Sequence, residues 1–219
     1  MSYTSSGSAP NSRHQDQRLE WFLLILLLLR FSLIYEPLNH IHPRIHVFWV
    51  YVILTYIFTY FTIKHIKYNR SDYHLDIPSK KDVWVWGFGL GLVAAAVNIF
   101  IRCYFHNRSL NFSDVWYFHI FALPIVQFCV AATVEEPLFR GLLWGYLKRL
   151  GRPDWAILII QALLFFAGHV YYATPGMYSN WFSTLLMGFM FGISAWKTRS
   201  ILPSMVAHAL VNGLSQTFL

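Results

Sequence analysis

Long apolar runs alternate with short polar stretches along the whole chain. Most of these runs have about the length that an α-helix needs to cross a hydrocarbon core of about 30 Å. The pattern therefore predicts an all-α, polytopic transmembrane bundle, with spans at 21–36, 46–63, 83–105, 116–149, 155–172, 181–197 and 203–218.

The fourth run is too long for a single upright span. At 1.5 Å per residue a helix over 116–149 would measure about 50 Å. Pro137 lies inside this run and removes one helical hydrogen bond. We therefore expect the run to tilt, to extend beyond the bilayer or to break at Pro137, and a break would give eight spans instead of seven.

Composition supports the membrane interpretation and divides the chain. The sequence is 56% hydrophobic and 12% charged, against about 45–50% and about 25% in soluble domains. An integral, multi-pass membrane protein with lipid as a partner is expected. We predict a disordered cytoplasmic tail over 1–20, N-terminal transmembrane helices over 21–115, and helices carrying the candidate chemistry over 116–219.

The net charge of +7 reflects where the basic residues lie. Cytoplasmic loops of membrane proteins are enriched in Lys and Arg. One side of the predicted bundle carries only Arg44, Arg102 and Arg108. The tally predicts a cytoplasmic N-terminus in a cell membrane and makes a nucleic-acid partner unnecessary. It also predicts that a peptide tail enters from the basic, cytoplasmic side or laterally from the leaflet on that side. The other side carries Arg13, Arg18, Lys64, Lys67, Arg70, Lys80, Lys81, Lys148, Arg149, Arg152, Lys197 and Arg199.

Two acids are embedded at membrane depth. Of the ten carboxylates, only Glu135 and Glu136 lie within an apolar run, where an ionised group costs several kcal/mol, roughly, unless it is paired or hydrated. Neighbouring residues on a helix point about 100° apart, so the two acids should have different roles. Glu136 and Arg140 have the i,i+4 spacing of an ion pair and are predicted to be structural. Glu135 is left to face a site, unless both acids merely pair with Arg140.

Two later runs carry histidines that could meet Glu135. His169 follows Phe165 by four residues, and Asn212 follows His208 by four. Each histidine alone is typical of a hydrogen-bonded core residue, whereas together with a buried acid they indicate a site. A glutamate and two histidines also form a plausible zinc set. Because the His-Glu-x-x-His signature is absent, we expect no cofactor and keep zinc as an alternative.

These motifs, in this order, resemble those of the CPBP (CAAX protease and bacteriocin-processing, or Abi) family. The resemblance covers residues 116–218 and implies an all-helical membrane fold and a glutamate-type endopeptidase. It implies that Glu135 and His169 activate water and that His208 and Asn212 hold the oxyanion. The implied substrate is a membrane-associated peptide, either prenylated and CAAX-like or carrying a C-terminal sorting or leader signal. The motifs are Glu135-Glu136-x-x-x-Arg140, Phe165-x-x-x-His169, Phe189-x-x-Gly192 and His208-x-x-x-Asn212.

Other classes stay open. Some members of that family are described as bacteriocin-immunity proteins, so a non-catalytic immunity or scaffold protein is the first alternative. An ion-coupled transporter would also keep acids and histidines in the membrane, but the sequence lacks the internal repeats typical of that class.

Overall fold

The computed structural model describes residues 57, 60, 64, 72–106, 109–110, 112, 116–173 and 177–219. Within these ranges all regular secondary structure is helical, apart from an isolated antiparallel bridge between Leu75 and Ser200. The all-α prediction is confirmed for this part of the chain. The predicted tail over 1–20, the span 21–36 and nearly all of 46–63 lie outside it, so the count of seven or eight spans stays a prediction.

From Lys80 onward the described residues form five helices, of which two contain π-helical stretches. Helix α1 runs through Lys80–Asp82, π-helical Val83–Gly89 and Leu90–His106; α2 runs through Trp116–Gln127, π-helical Phe128–Ala132, Thr133–Glu136, π-helical Pro137–Leu143 and Trp144–Arg149. Helix α3 is Asp154–Gly168, followed by a 3-10 turn at Val170–Tyr172; α4 is Tyr178–Thr198, and α5 is Ile201–Phe218. Both α1 and α2 are long and apolar enough to cross a membrane.

Helix α2 passes through Pro137 without a break. Pro137 begins the second π-helical stretch, in which hydrogen bonds run between residues five apart instead of four. The first π-helical stretch ends where the Thr133 N–H donates to the carbonyl of Phe128, and the Thr133 hydroxyl donates to the same oxygen over 2.5 Å. The missing Pro N–H is thus accommodated by wider turns, and α2 is continuous through Pro137 to Arg149.

Helix α5 lies between α1, α2 and α4, while α3 packs mainly against α4. At Gly213 the backbone of α5 comes so close to α2 that a Cβ there would overlap Pro124, with the Pro124 Cα only 2.6 Å away. The exposed faces of α1 and α2 carry large apolar side chains such as Phe100 and Phe121, as expected for surfaces that face lipid. Because Asn212 precedes Gly213, this contact places it beside α2.

Residues 72–76, called the strap here, close one end of the bundle. Tyr73 is fully buried and fills the space beside Gly145, where a Cβ would overlap its ring. The His74 ring lies 4.7 Å from the ring of Trp144, and the His74 carbonyl accepts from the N–H of Ile201 over 2.8 Å. This is the basic end at which we expected a peptide to enter. Tyr73 and Trp144 are buried at this end, and the route by which a peptide enters stays a prediction.

Candidate active site

Three helices bring one acid and two histidines together. Glu135 lies on α2, His169 directly follows α3, and His208 lies on α5. The Nε2 atoms of His169 and His208 each lie 3.9 Å from Oε2 of Glu135, and the three side chains are 9%, 4% and 12% exposed. These distances are too long for direct hydrogen bonds. The three atoms therefore surround a small polar site inside an apolar bundle.

The His169 ring is oriented by the end of its own helix. Helix α3 ends at Gly168, and His169 leaves the helical conformation at φ −102° and ψ 21°. Its Nδ1 lies 2.7 Å from the carbonyl oxygen of Phe165. Since a carbonyl only accepts, Nδ1 carries the proton and donates it to Phe165. In the neutral ring Nε2 then has a lone pair directed toward Glu135.

Glu136 does more than pair with Arg140. Its Oε1 lies 3.2 Å from Nη1 of Arg140 and 2.8 Å from Nδ1 of His208. Both Glu136 and Arg140 are fully buried. We expected Glu136 to be structural, and the structure adds that it also orients His208. Because adjacent carboxylates point about 100° apart, one histidine fits between them and faces both.

Arg140 shares a backbone acceptor with Gln161, a residue that the sequence analysis missed. Its Nη2 donates to the carbonyl of Gly188 over 3.3 Å, and its guanidinium lies 4.5 Å from the centre of the Phe165 ring. Gln161 is fully buried on α3 and donates to the same Gly188 carbonyl over 2.9 Å. A Cβ on Gly192 would overlap the Gln161 amide. In the sequence, Gln161 is a single amide inside an apolar run. Because it carries no charge, hydropathy and charge patterns did not distinguish it.

Asn212 faces a different neighbour from the other predicted residues. It lies one turn beyond His208, and its Nδ2 donates to Oε1 of Gln127 over 3.3 Å. Gln127 in turn donates from Nε2 to Oε1 of Gln216 over 3.2 Å. The sequence analysis missed Gln127 and Gln216 as well. These three side chains form a line of amides between α2 and α5.

The carboxylate and imidazole groups of the site are of the types that coordinate zinc. Within the described ranges, no group of three or more His, Cys, Asp or Glu side chains is arranged to hold a metal ion. Zinc takes imidazole nitrogens and carboxylate oxygens at about 2.0–2.2 Å. The Nε2 atoms of His169 and His208 each lie 3.9 Å from Oε2 of Glu135, and zinc stays an alternative.

Comparison with known proteins adds a family. The family described as Rce1-like, type II CAAX prenyl endopeptidase, matches residues 117–214. Searches of curated proteins and of solved structures gave no match. The matched stretch contains all six predicted site residues, Glu135, Glu136, Arg140, His169, His208 and Asn212. The family indicates a protease that acts on a protein or peptide, and with the apolar helices it supports an integral membrane protein. Over residues 117–214, slightly less than half of its length, the chain is thus similar to the CPBP/CAAX protease family.

Proposed function

We propose that the chain is an intramembrane endopeptidase in which Glu135 activates a water molecule. One observation carries the proposal. Oε2 of Glu135 is buried and has no hydrogen-bond partner among the described residues, while two imidazole nitrogens face it at 3.9 Å each. A water oxygen about 2.8 Å from each of the three atoms would complete the arrangement. A carboxylate beside such a water is a suitable general base.

The reaction proceeds in two steps. In the first, the water oxygen attacks the carbonyl carbon of the peptide bond, and the water gives a proton to Glu135. His169 accepts a hydrogen bond from the same water and keeps it aligned. In the second step the tetrahedral intermediate collapses and the C–N bond breaks. Glu135 returns the proton to the leaving nitrogen, so the products are a carboxylic acid and an amine.

His208 is placed to stabilise the oxyanion. With Nδ1 held by Glu136 at 2.8 Å, a protonated His208 donates from Nε2 toward the reacting centre. The charges then balance, because Arg140 and protonated His208 offset Glu135 and Glu136. Asn212 supplies a second donor through the amide N–H that Gln127 does not use. Loss of one oxyanion donor typically slows an enzyme by about 10²- to 10³-fold.

The substrate class follows from the family and from the burial of the site. The matched family is named for CAAX prenyl endopeptidases, so a prenylated peptide with a CAAX end is the first class to test. A lipid anchor would bring such a peptide to helices that expose apolar side chains. Membrane proteins with C-terminal sorting signals are the second class.

The decisive experiment compares the wild type with Glu135→Gln. Purified protein in lipid vesicles would be given a farnesylated, internally quenched CAAX peptide, with the unprenylated peptide as a control. C-terminal peptides from cells carrying each form would be compared by mass spectrometry. We expect the wild type alone to cleave the peptide and to change the C-terminal peptides. A wild type that does neither would refute the peptidase proposal and favour an immunity or scaffold protein.

The same preparation addresses the zinc alternative. We propose a reaction without a metal, so activity should survive a chelator. Stoichiometric zinc by elemental analysis, lost with activity on chelation and restored by adding the ion, would favour a zinc peptidase.

A further inference from the structure

We infer that Gln127 and Gln216, which continue the line of amides from Asn212, bind the main chain of the substrate at a distance from the scissile bond. Gln127, Asn212 and Gln216 together are called the amide seam here. The inference rests on the proposed function and extends it to substrate binding. The seam is a chain of two hydrogen bonds, from Asn212 to Gln127 over 3.3 Å and from Gln127 to Gln216 over 3.2 Å.

The seam continues directly from the reacting residues. Gln127 precedes Glu135 by eight residues on α2, and Gln216 follows His208 by eight residues on α5. Eight residues of helix cover about 12 Å. An extended peptide advances about 3.3 Å per residue. A substrate lying along the seam would therefore meet Gln127 and Gln216 about three to four residues from the bond that is cut.

The amides keep donors and acceptors that the fold does not use. Among the described residues, Gln127 engages one of its two N–H groups, and Gln216 is engaged through its Oε1 atom. A peptide strand offers alternating C=O and N–H groups, which side-chain amides match on both sides. The close approach of Gly213 to Pro124 holds the two helices so that these amides are adjacent.

Unpaired amide groups are energetically costly beside lipid unless a ligand forms hydrogen bonds with them. Ile125 and Val126, next to Gln127, are 65% and 49% exposed on a helix that is apolar enough to span a membrane. Lipid offers no hydrogen bonds to the unused amide groups. The competing explanation is that the amides only stabilise the packing of α2 against α5. Loss of helix packing would weaken the binding of every substrate equally. Loss of a binding contact would weaken only the substrates long enough to reach the amides.

Peptide length therefore gives the test. Fluorescent farnesylated peptides would be extended one residue at a time on each side of the scissile bond. Their affinity would be measured by anisotropy for protein carrying Glu135→Gln, which prevents turnover. Gln127→Leu and Gln216→Leu would be added separately, with Val126→Leu as the control on an exposed, apolar neighbour.

We expect affinity to rise when the peptide reaches the third or fourth residue on one side, by roughly 3- to 10-fold per hydrogen bond. Both Gln variants should lose this increment and keep the affinity for the shortest peptide, while Val126→Leu should keep both. Equal weakening for all lengths, or no change, would overturn the inference. Length-dependent binding by a protein whose wild type cleaves nothing would instead refute the proposed peptidase and leave the seam standing.

Discussion

Glu135 and Glu136 are adjacent in sequence but contact His208 from opposite sides. Glu136 holds Nδ1 of the ring at 2.8 Å, and Glu135 lies 3.9 Å from Nε2. The same side chain type thus has two uses, one as a partner that orients a ring and one as a group left to act on water. Burial separates these uses, since Glu136 is fully buried and the Glu135 side chain is 12% exposed.

Glu135→Gln should abolish cleavage while the protein stays folded in the membrane. The substitution removes the base at nearly constant volume, and general-base catalysis typically contributes about 10²- to 10⁴-fold. His169→Ala should also abolish activity. Turnover of the prenylated peptide and thermal unfolding in detergent would be measured together. Near-normal turnover in either variant would show that this pair does not activate water.

Arg140→Ala should act mainly through stability. Removing Arg140 leaves the buried Glu136 with His208 as its partner and without the guanidinium, and breaking a buried pair costs roughly 3–5 kcal/mol. Lys148→Ala is a matched control, because Lys148 and Asp154 form a shorter pair of 2.7 Å whose side chains are 41% and 30% exposed. Exposed pairs contribute about 0–1 kcal/mol. Equal stability of both variants in chemical denaturation would contradict the structural role of Arg140.

Sequence alone identified the charged and ionisable residues of this site because charge is rare in its apolar runs. In the structure these residues are linked in pairs. Arg140 pairs with Glu136, His169 lies beside Glu135, and His208 lies beside both acids. Uncharged amides gave no comparable signal, so Gln161, Gln127 and Gln216 were missed. In addition, the i,i+4 spacing predicts contacts only between residues of the same helix. The contact between Glu136 and His208 joins residues 72 positions apart and depends on how α2 and α5 pack.

At the scale of elements, the π-helical stretches of α2 and the strap were not predicted. Pro137 suggested a break, because a helical hydrogen bond is lost there. The helix instead widens over Pro137–Leu143 and continues. Hydropathy could not distinguish a broken helix from a continuous one, since the same apolar residues would form either. The composition of the strap is polar, which predicts an exposed loop. Tyr73 is buried because Gly145, which has no side chain, leaves a gap (called the notch here) that the Tyr73 ring fills.

Gly145→Ala should displace the strap. A Cβ at this position would overlap the Tyr73 ring, and the nearby Trp144 and Leu142 leave it little room to move. Gly89→Ala is the control, because its nearest neighbour is the Trp84 carbonyl at 3.5 Å. We expect Gly145→Ala to lower the unfolding temperature and to increase proteolysis within 72–76, and Gly89→Ala to leave both unchanged. An unaffected Gly145→Ala protein would show that the strap does not depend on this notch.

His74 should make the strap sensitive to acid. Burial lowers the pKa of His74 to about 4 from its ordinary 6.5, with Lys148 and Arg199 contributing in the same direction and Asp154 opposing it. The unfolded chain therefore binds a proton below about pH 6.5 that the folded protein does not take up until about pH 4. Stability should fall across this window, by at most about 3 kcal/mol.

His74→Asn is the variant that tests this, because His74 has a φ of 53° and Asn tolerates that left-handed conformation. Free energies of unfolding at pH 7.5 and pH 5 would be compared in detergent. The loss of stability between the two should be smaller in the variant than in the wild type. Equal losses would mean that other groups cause the acid sensitivity.

At the scale of the whole molecule, hydropathy predicted the all-helical architecture and most helix boundaries. The run at 181–197 corresponds to α4, Tyr178–Thr198, and the run at 203–218 to α5, Ile201–Phe218. Hydropathy did not show which helix lies at the centre, because it measures how apolar a run is and does not show which helices pack against it. The central position of α5 follows from small residues such as Ala207 and Gly213, which allow close approach from α1 and α2.

The orientation of the bundle in the membrane is the remaining prediction from charge. Helix α4 has 21 residues, about 32 Å at the helical rise, so its two ends should lie on opposite sides. Arg152 and Lys197 are exposed at the basic end, and Tyr178 is exposed at the other. The excess of basic residues predicts that the first two face the cytoplasm.

Single cysteines at Arg152, Lys197 or Tyr178, with Cys103 and Cys129 replaced by Ala, would report this orientation through a membrane-impermeant maleimide. In intact cells we expect labelling at residue 178 alone, and at 152 and 197 only after permeabilisation. The strap closes the basic end, and the amide seam extends from Glu135 toward the opposite end. The expected result would therefore place the seam in the outer half of the membrane. The reverse pattern of labelling would instead turn the seam toward the cytoplasm and show that cytoplasmic peptide tails are the ones that reach it.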